Sequence, residues 1–187
     1  VKARQPSAGD LSGSLLVAHP MMADPHFRHA ILFLSHHSAE EGALGFILNR
    51  PLAKKKPEDL PVGEAAHHIA HVKIFEGGPV ERNQIIVASL EWDAQTGACR
   101  FEPIEPPEGD FEFPEEVDDK LRIFLGYAGW SKNQLEREIA SNSWLVLKPH
   151  PELLKTDIND QTWHSIMNGL GPMYRVLASA PEDASPN

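Results

Sequence analysis

The chain has 187 residues, 41% of them hydrophobic and 24% charged, with a net charge of -10 at pH 7. That length supports one well-buried domain, and the negative balance opposes general attraction to nucleic-acid phosphates. No apolar run approaches the roughly 20 residues of a membrane helix, the opening VKARQPSAGD lacks a signal-peptide core, and the lone Cys99 excludes an intrachain disulfide; a cytoplasmic location is expected.

Val1 to Leu11 lacks periodicity and is expected to be mobile. Ser14 to Ala18 reads as a buried strand. The next segment holds two prolines and Asp24, which can cap a short turn before Phe27. Ala30 to Leu34 and Gly45 to Leu48 form the arms of a hairpin, with a polar turn from His36 to Gly42. Asn49-Arg50-Pro51 closes it, and Lys54 to His71 reads as partly helical. Val72 to Phe75 is a short strand, followed by Gly77-Gly78-Pro79, a turn whose glycines allow close backbone approach. Ile85 to Leu90 is another strand, and Thr96-Gly97 turns the chain into an edge strand, Cys99 to Phe101.

From Glu102 to Asp119 there are nine acidic residues and no Lys or Arg, which fits a solvated loop or a docking surface for a basic partner. Leu121 to Leu147 is the clearest local unit. Ile123 to Leu125 is a strand broken by the glycines of Gly126 to Trp130. Ser131 and Gln134 have the spacing of a capping box, and Leu135 and Ile139 follow at helical spacing. Trp144 to Leu147 is the next strand. After Pro149 and Pro151, Asp160 to Leu170 reads as the last helix, with Trp163, Ile166, Met167 and Leu170 on one face and Gly171 as its stop.

The helix after Trp130 carries Gln134, Glu138 and Asn142 in one row along its buried edge. Polar groups at such an edge usually satisfy the structure around them. The other reading is a ligand or partner groove beside the Trp130 turn.

LGYAGW, QLExE and NxW within this unit, with GSLLVAHPMMADPHF, EEGALGFILNRPL and FEGGPV in order before it, resemble the AlgH/YqgE family of bacterial proteins. The likeness spans most of Gly13 to Gly171. Asn133 stands where the family commonly has glycine, a substitution that left-handed backbone tolerates. Patterning alone gives mixed α and β. The resemblance implies an α+β fold, with a mixed, bifurcated and partly barrel-like sheet flanked by helices. One domain is expected over 13–178, with disordered tails at 1–12 and 179–187.

Chemistry leaves few openings. Glu64, His67 and His71 share a helical face, and His36-His37 and His26/His29 are further clusters. A di-iron site wants two Glu-x-x-His copies and structural zinc usually wants cysteines, so neither a metal nor another cofactor is expected. No G-x-S-x-G elbow, Walker A or G-x-G-x-x-G motif is present, and no catalytic residue is assigned. The expectation is a non-enzymatic cytoplasmic protein that binds a protein or small ligand, with no direct nucleic-acid binding and no membrane association. The family name adds an indirect role in transcriptional regulation. The alternative is a small-molecule sensor or enzyme using Asn49, Arg50, Gly77, Gln134 and Glu138. The candidate binding residues are Asp24, Asn49, Arg50, Gly77, Gly78, Trp130, Gln134, Glu138 and Asn142.

Overall fold

The computed structural model describes residues 9–38, 40–56, 59–60, 72–104, 120–155 and 157–180. The strands are β1 (Leu15–Ala18), β2 (Ile31–Ser38), β3 (Gly42–Ile47), β4 (Lys73–Glu76), β5 (Val80–Asp93), β6 (Ala98–Ile104), β7 (Leu121–Trp130) and β8 (Trp144–Leu147). The helices among the described residues are α1 (Gln134–Ala140), α2 (Asp160–Leu170) and α3 (Pro172–Ala178), with a 3₁₀ turn over Pro151–Leu154. The fold is α+β, and no helix among these residues is long and apolar enough to cross a membrane.

The sheet is open, in the order β6-β5-β7-β3-β2-β1-β8, with β4 joined to β7 off that path. Every pairing is antiparallel except β4 with β7. The fork lies in β7. Its first half pairs with β4 over Arg122 to Leu125 and with β5, whereas Ala128 to Trp130 pair with β3. Gly126, at φ 71°, marks the change of partner. A side chain there would strain the backbone and would also meet the Val80 carbonyl at 2.5 Å. The glycine therefore bends the strand instead of ending it, and the run expected to stop at Leu125 continues to Trp130.

Continuous apolar strands need cover on both faces, and β1 shows how it is supplied. Leu15 and Val17 join a core with Phe33, Phe46, Phe124 and the α2 residues Trp163, Ile166 and Met167. Leu16 and Ala18 face the opposite way, into a second core with Trp130, Leu135 and Trp144. A third core gathers Ile74, Val87, Leu121 and Ile123 in the other half of the sheet. β7 thus contributes to all three cores, which places it at the centre of the packing.

α2 and β8 have the bounds that their patterns predict. Asn159 and Thr162 form the capping box of α2, and Gly171 stops it at φ 125°. β2 runs on through Ser38, past the turn expected from His36, because His36 to Ser38 pair with Leu44 to Gly42. α3 follows directly on Gly171. Pro172 occupies the first helical position, where its missing N–H costs no bond.

Residues of the expected N-terminal tail are partly engaged. The Leu11 amide donates to His37 Nδ1 at 3.2 Å, and the His37 amide donates to Ser12 Oγ at 2.9 Å. Residues 1–8, 181–187, most of the expected helix from Lys54 to His71 with Glu64, His67 and His71, and 105–119 of the acidic segment lie outside the described residues.

Candidate functional site

The row on α1 belongs to a cluster built around one carboxylate. Glu138 Oε2 accepts both buried indole N–H groups, from Trp130 at 2.8 Å and Trp144 at 2.7 Å. Its Oε1 accepts the Gln134 amide at 2.9 Å, and Gln134 Oε1 accepts the Ser131 amide and hydroxyl, each at 3.0 Å. Phe27 stacks on Trp130 and meets Trp144 edge-on. The turn that carries Phe27 is capped by Asp24, whose Oδ1 accepts the His26 amide at 2.8 Å. Trp130 and Trp144 are 4% and 2% exposed, so Glu138 supplies the acceptor that two buried indoles require.

The start of α1 differs from its expected form. Asn133 takes the N-cap position with φ 58° and no side-chain cap bond. Only the return half of the predicted box exists, from Gln134 to Ser131. Asn142 lies past the helix and closes its end. Its amide donates to the Ile139 carbonyl at 3.0 Å, and that of Ser143 donates to Glu138 at 2.8 Å, with Asn142 left-handed at φ 59°. This is a Schellman motif with asparagine in glycine's usual place.

Asn49 and Arg50 sit at the fork. Asn49 is 4% exposed; its Oδ1 accepts the Ile31 amide at 2.8 Å, and its Nδ2 donates to the His29 carbonyl at 2.9 Å. Arg50 donates to the carbonyls of His26 and Arg28, both at 2.9 Å, and to Glu76 Oε1 at 3.3 Å. Gly77 and Gly78 lie against the backbone of β7. A Cβ at Gly77 would lie 2.1 Å from the Gly126 carbonyl, and one at Gly78 would lie 2.2 Å from the Tyr127 backbone. These glycines let the chain after β4 cross against β7.

The structure therefore brings Asp24, Trp130, Gln134 and Glu138 into one cluster, and Asn49, Arg50 and Gly77 into a second at the fork. In both, the polar side chains bond to the protein's own groups.

A different surface is open. A cleft of about 480 Å³ lies between the half-sheets. Leu44, Phe46, Ile86 and Phe101 form its apolar floor, and Ser35, His36, Glu81, Gln84, Pro103 and Tyr127 surround it. Phe101 stacks on Phe46 with ring centroids 4.9 Å apart, and Phe46 packs at the same distance against Phe124. Three backbone irregularities frame the cleft: the register shift of β2 at Ser35, that of β5 between Val80 and Ile85, and the left-handed Glu81 at φ 46°. Bulges and strained residues of this kind re-aim side chains and gather at binding sites.

Ser35 Oγ donates to the Leu44 carbonyl at 3.1 Å, and His36 Nε2 faces Glu41 at 3.2 Å. The two neighbours are not aligned as nucleophile and base. The Tyr127 hydroxyl and the Gln84 amide bond to no other described residue. Cys99 packs against the first core, and burial pushes its thiol up to about 12, which disfavours thiolate chemistry at neutral pH. Of the cleft residues, only His36 was named as a candidate from sequence, in the His36-His37 cluster. The available signals were weak: an aromatic at alternate positions of several strands and a Ser-His pair after an apolar run.

Fold and site together define an α+β protein with an open, forked sheet and an aromatic-floored cleft between its halves. A profile of the AlgH-like family matches residues 15–175, and this chain belongs to that family. The UPF0301 protein of Streptomyces coelicolor is 32% identical over 194 residues, covering 95% of each chain. A UPF0301 protein of Chlamydia trachomatis serovar L2b is 31% identical over 177 residues, 91% of this chain and 92% of the relative. Among solved structures, protein DIP2367 from Corynebacterium diphtheriae shares the fold with a TM-score of 0.67 at 20% identity, over 96% of this chain and 95% of that one. The AlgH protein from Pseudomonas aeruginosa matches with a TM-score of 0.58 at 25% identity, over 97% and 100% of the two chains.

Proposed function

We propose that this protein is a non-enzymatic cytoplasmic binding protein, and that the cleft takes a small ligand with a flat apolar body and a polar edge. One observation carries the reading: an aromatic floor bordered by polar groups, Tyr127 and Gln84, that the described structure leaves unbonded. The volume lies in the range of small-molecule sites, which are apolar with a few placed polar groups. Binding is favoured over catalysis because Ser35 and His36 are turned to separate partners and the Cys99 thiol stays protonated. The alternative centred on Asn49, Arg50, Gly77, Gln134 and Glu138 draws no support from geometry, since those polar groups bond within the fold. Any part in transcription is indirect on this reading: the -10 charge disfavours duplex DNA, and a ligand-dependent protein contact is the fitting route.

Native mass spectrometry of protein purified from its own host tests the proposal, together with thermal-shift screening of aromatic acids and amines. A retained or selected compound should bind at least tenfold more weakly to Gln84→Ala or Tyr127→Phe. A compound that binds both variants like the parent protein would place its site elsewhere and overturn the reading.

A further inference from the structure

Chain folding brings together three side chains that sequence spacing keeps apart. His29 lies in the loop before β2. Asp160 and His164 stand four residues apart on one face of α2. His29 Nδ1 is 2.9 Å from Asp160 Oδ1, and His164 Nε2 is 3.3 Å from Asp160 Oδ2. One ligand-capable atom from each of the three lies within 4.8 Å of the others. From these residues we infer a binding site for a divalent first-row transition-metal ion, with zinc as the most available candidate.

The donor set selects the ion class. Two imidazoles and one carboxylate suit zinc and its neighbours, whereas calcium and magnesium prefer oxygen ligands throughout. Bonds of about 2.0–2.1 Å set tetrahedral ligand atoms about 3.3 Å apart. The 3.3 Å separation of His164 Nε2 from Asp160 Oδ2 matches that spacing, and the 2.9 Å contact of His29 Nδ1 with Asp160 Oδ1 has to open slightly to reach it. A ligating ring nitrogen carries no proton, so each ring binds as the neutral tautomer with its one proton on the other nitrogen. Three protein ligands leave a fourth position for water or a ligand from solution.

The ligands are also held in place. The His29 ring stacks on buried Trp163 with centroids 4.1 Å apart, and Trp163 is anchored by its N–H bond to the Ala18 carbonyl at 2.8 Å. The Asn49 amide holds the His29 carbonyl, and the His29 backbone is left-handed at φ 57°. The Asn159–Thr162 capping box fixes the first turn of α2, where Asp160 sits. The His164 ring packs edge-on against both Trp163 and His29. An ordinary pair of histidine–carboxylate contacts does not need a strained backbone and a tryptophan platform. A preorganised ligand set does, because supporting contacts decide how tightly a site binds. The positive end of the α2 dipole opposes a cation by about half a charge, and the full charge of Asp160 outweighs it.

The test uses the full chain, stripped with chelator and titrated calorimetrically with zinc chloride at neutral pH. Cobalt(II) absorption serves as a second readout of coordination. One ion per chain should bind with a Kd in the micromolar range or below, accompanied by the visible bands of a low-symmetry cobalt site. His164→Gln and Asp160→Asn should each weaken binding at least tenfold. Both residues are partly exposed on a helix, so the variants should melt like the parent protein when metal-free. His150→Gln, outside the ligand set at the N-cap of the 3₁₀ turn, should bind as the parent does. A Kd weaker than about 100 μM, or equal binding by His164→Gln and Asp160→Asn, would overturn the inference and leave only adventitious binding to other histidines.

Discussion

The indole–carboxylate cluster on α1 and the cleft between the half-sheets are opposite uses of the same materials. Both combine aromatic rings with a few polar side chains. In the first, Glu138 answers two indoles and an amide, and Gln134 answers Ser131. In the second, the rings stack among themselves, and the Tyr127 hydroxyl and the Gln84 amide remain unbonded by described residues. The difference teaches that a conspicuous polar row beside tryptophans can serve the fold entirely. Binding capacity is better judged by which donors and acceptors remain open after the fold has used the others.

The contrast is open to direct attack. Glu138→Ala should produce the largest effect, a loss of about 3–5 kcal/mol in urea unfolding, because two buried indole N–H groups lose their acceptor. A loss below about 1 kcal/mol, within the range of ordinary exposed positions, would break the structural reading of that cluster. Gly78→Ala should cost about 3 kcal/mol, since its Cβ would sit 2.2 Å from the Tyr127 backbone. Asn142→Ala is expected to cost about 1 kcal/mol through its left-handed backbone, and Asn142→Gly to be neutral or mildly stabilising; chemical denaturation of the pair separates backbone strain from side-chain loss. Gln84→Ala and Tyr127→Phe should change stability by less than about 0.5 kcal/mol while weakening ligand binding. Instability as large as that of Glu138→Ala would make the cleft rim a second structural cluster and erase the contrast.

Much of the local architecture was legible in the sequence. α2 could be bounded because Asn159 and Gly171 are strong start and stop signals, and β8 because four apolar residues are flanked by polar and proline positions. The left-handed tolerance assigned to Asn133 matches its φ of 58°. Glycine was harder to interpret. Gly126 reads as a break but bends a strand between partners, and Gly77-Gly78 reads as a turn but permits backbone crossing. Neither use has a local signature, because the neighbour that demands it comes from elsewhere in the chain.

The candidate sites follow the same rule. Gln134 and Glu138 were visible as a row from helical spacing, but the two indoles that share the Glu138 carboxylate required the tertiary fold. The cleft draws on β2, β3, β5, β6 and β7, and its shape depends on register shifts that residue patterns do not encode. His29 and Asp160 are 131 positions apart. Only packing of α2 across the sheet makes them neighbours.

The fork in β7 has a consequence for how the protein is made. Until Leu121 to Trp130 has been synthesised, β3 lacks its outer partner, β5 has only β6, and β4 has only the Arg50 to Leu52 segment beside it. Ribosomal synthesis therefore delivers most of the strands before the one that joins them. Pairings that join segments distant in sequence form slowly, and unsatisfied strand edges invite aggregation in the meantime. The nascent polypeptide thus passes through an interval in which the half-sheets carry open edges until β7 pairs with β3, β4 and β5.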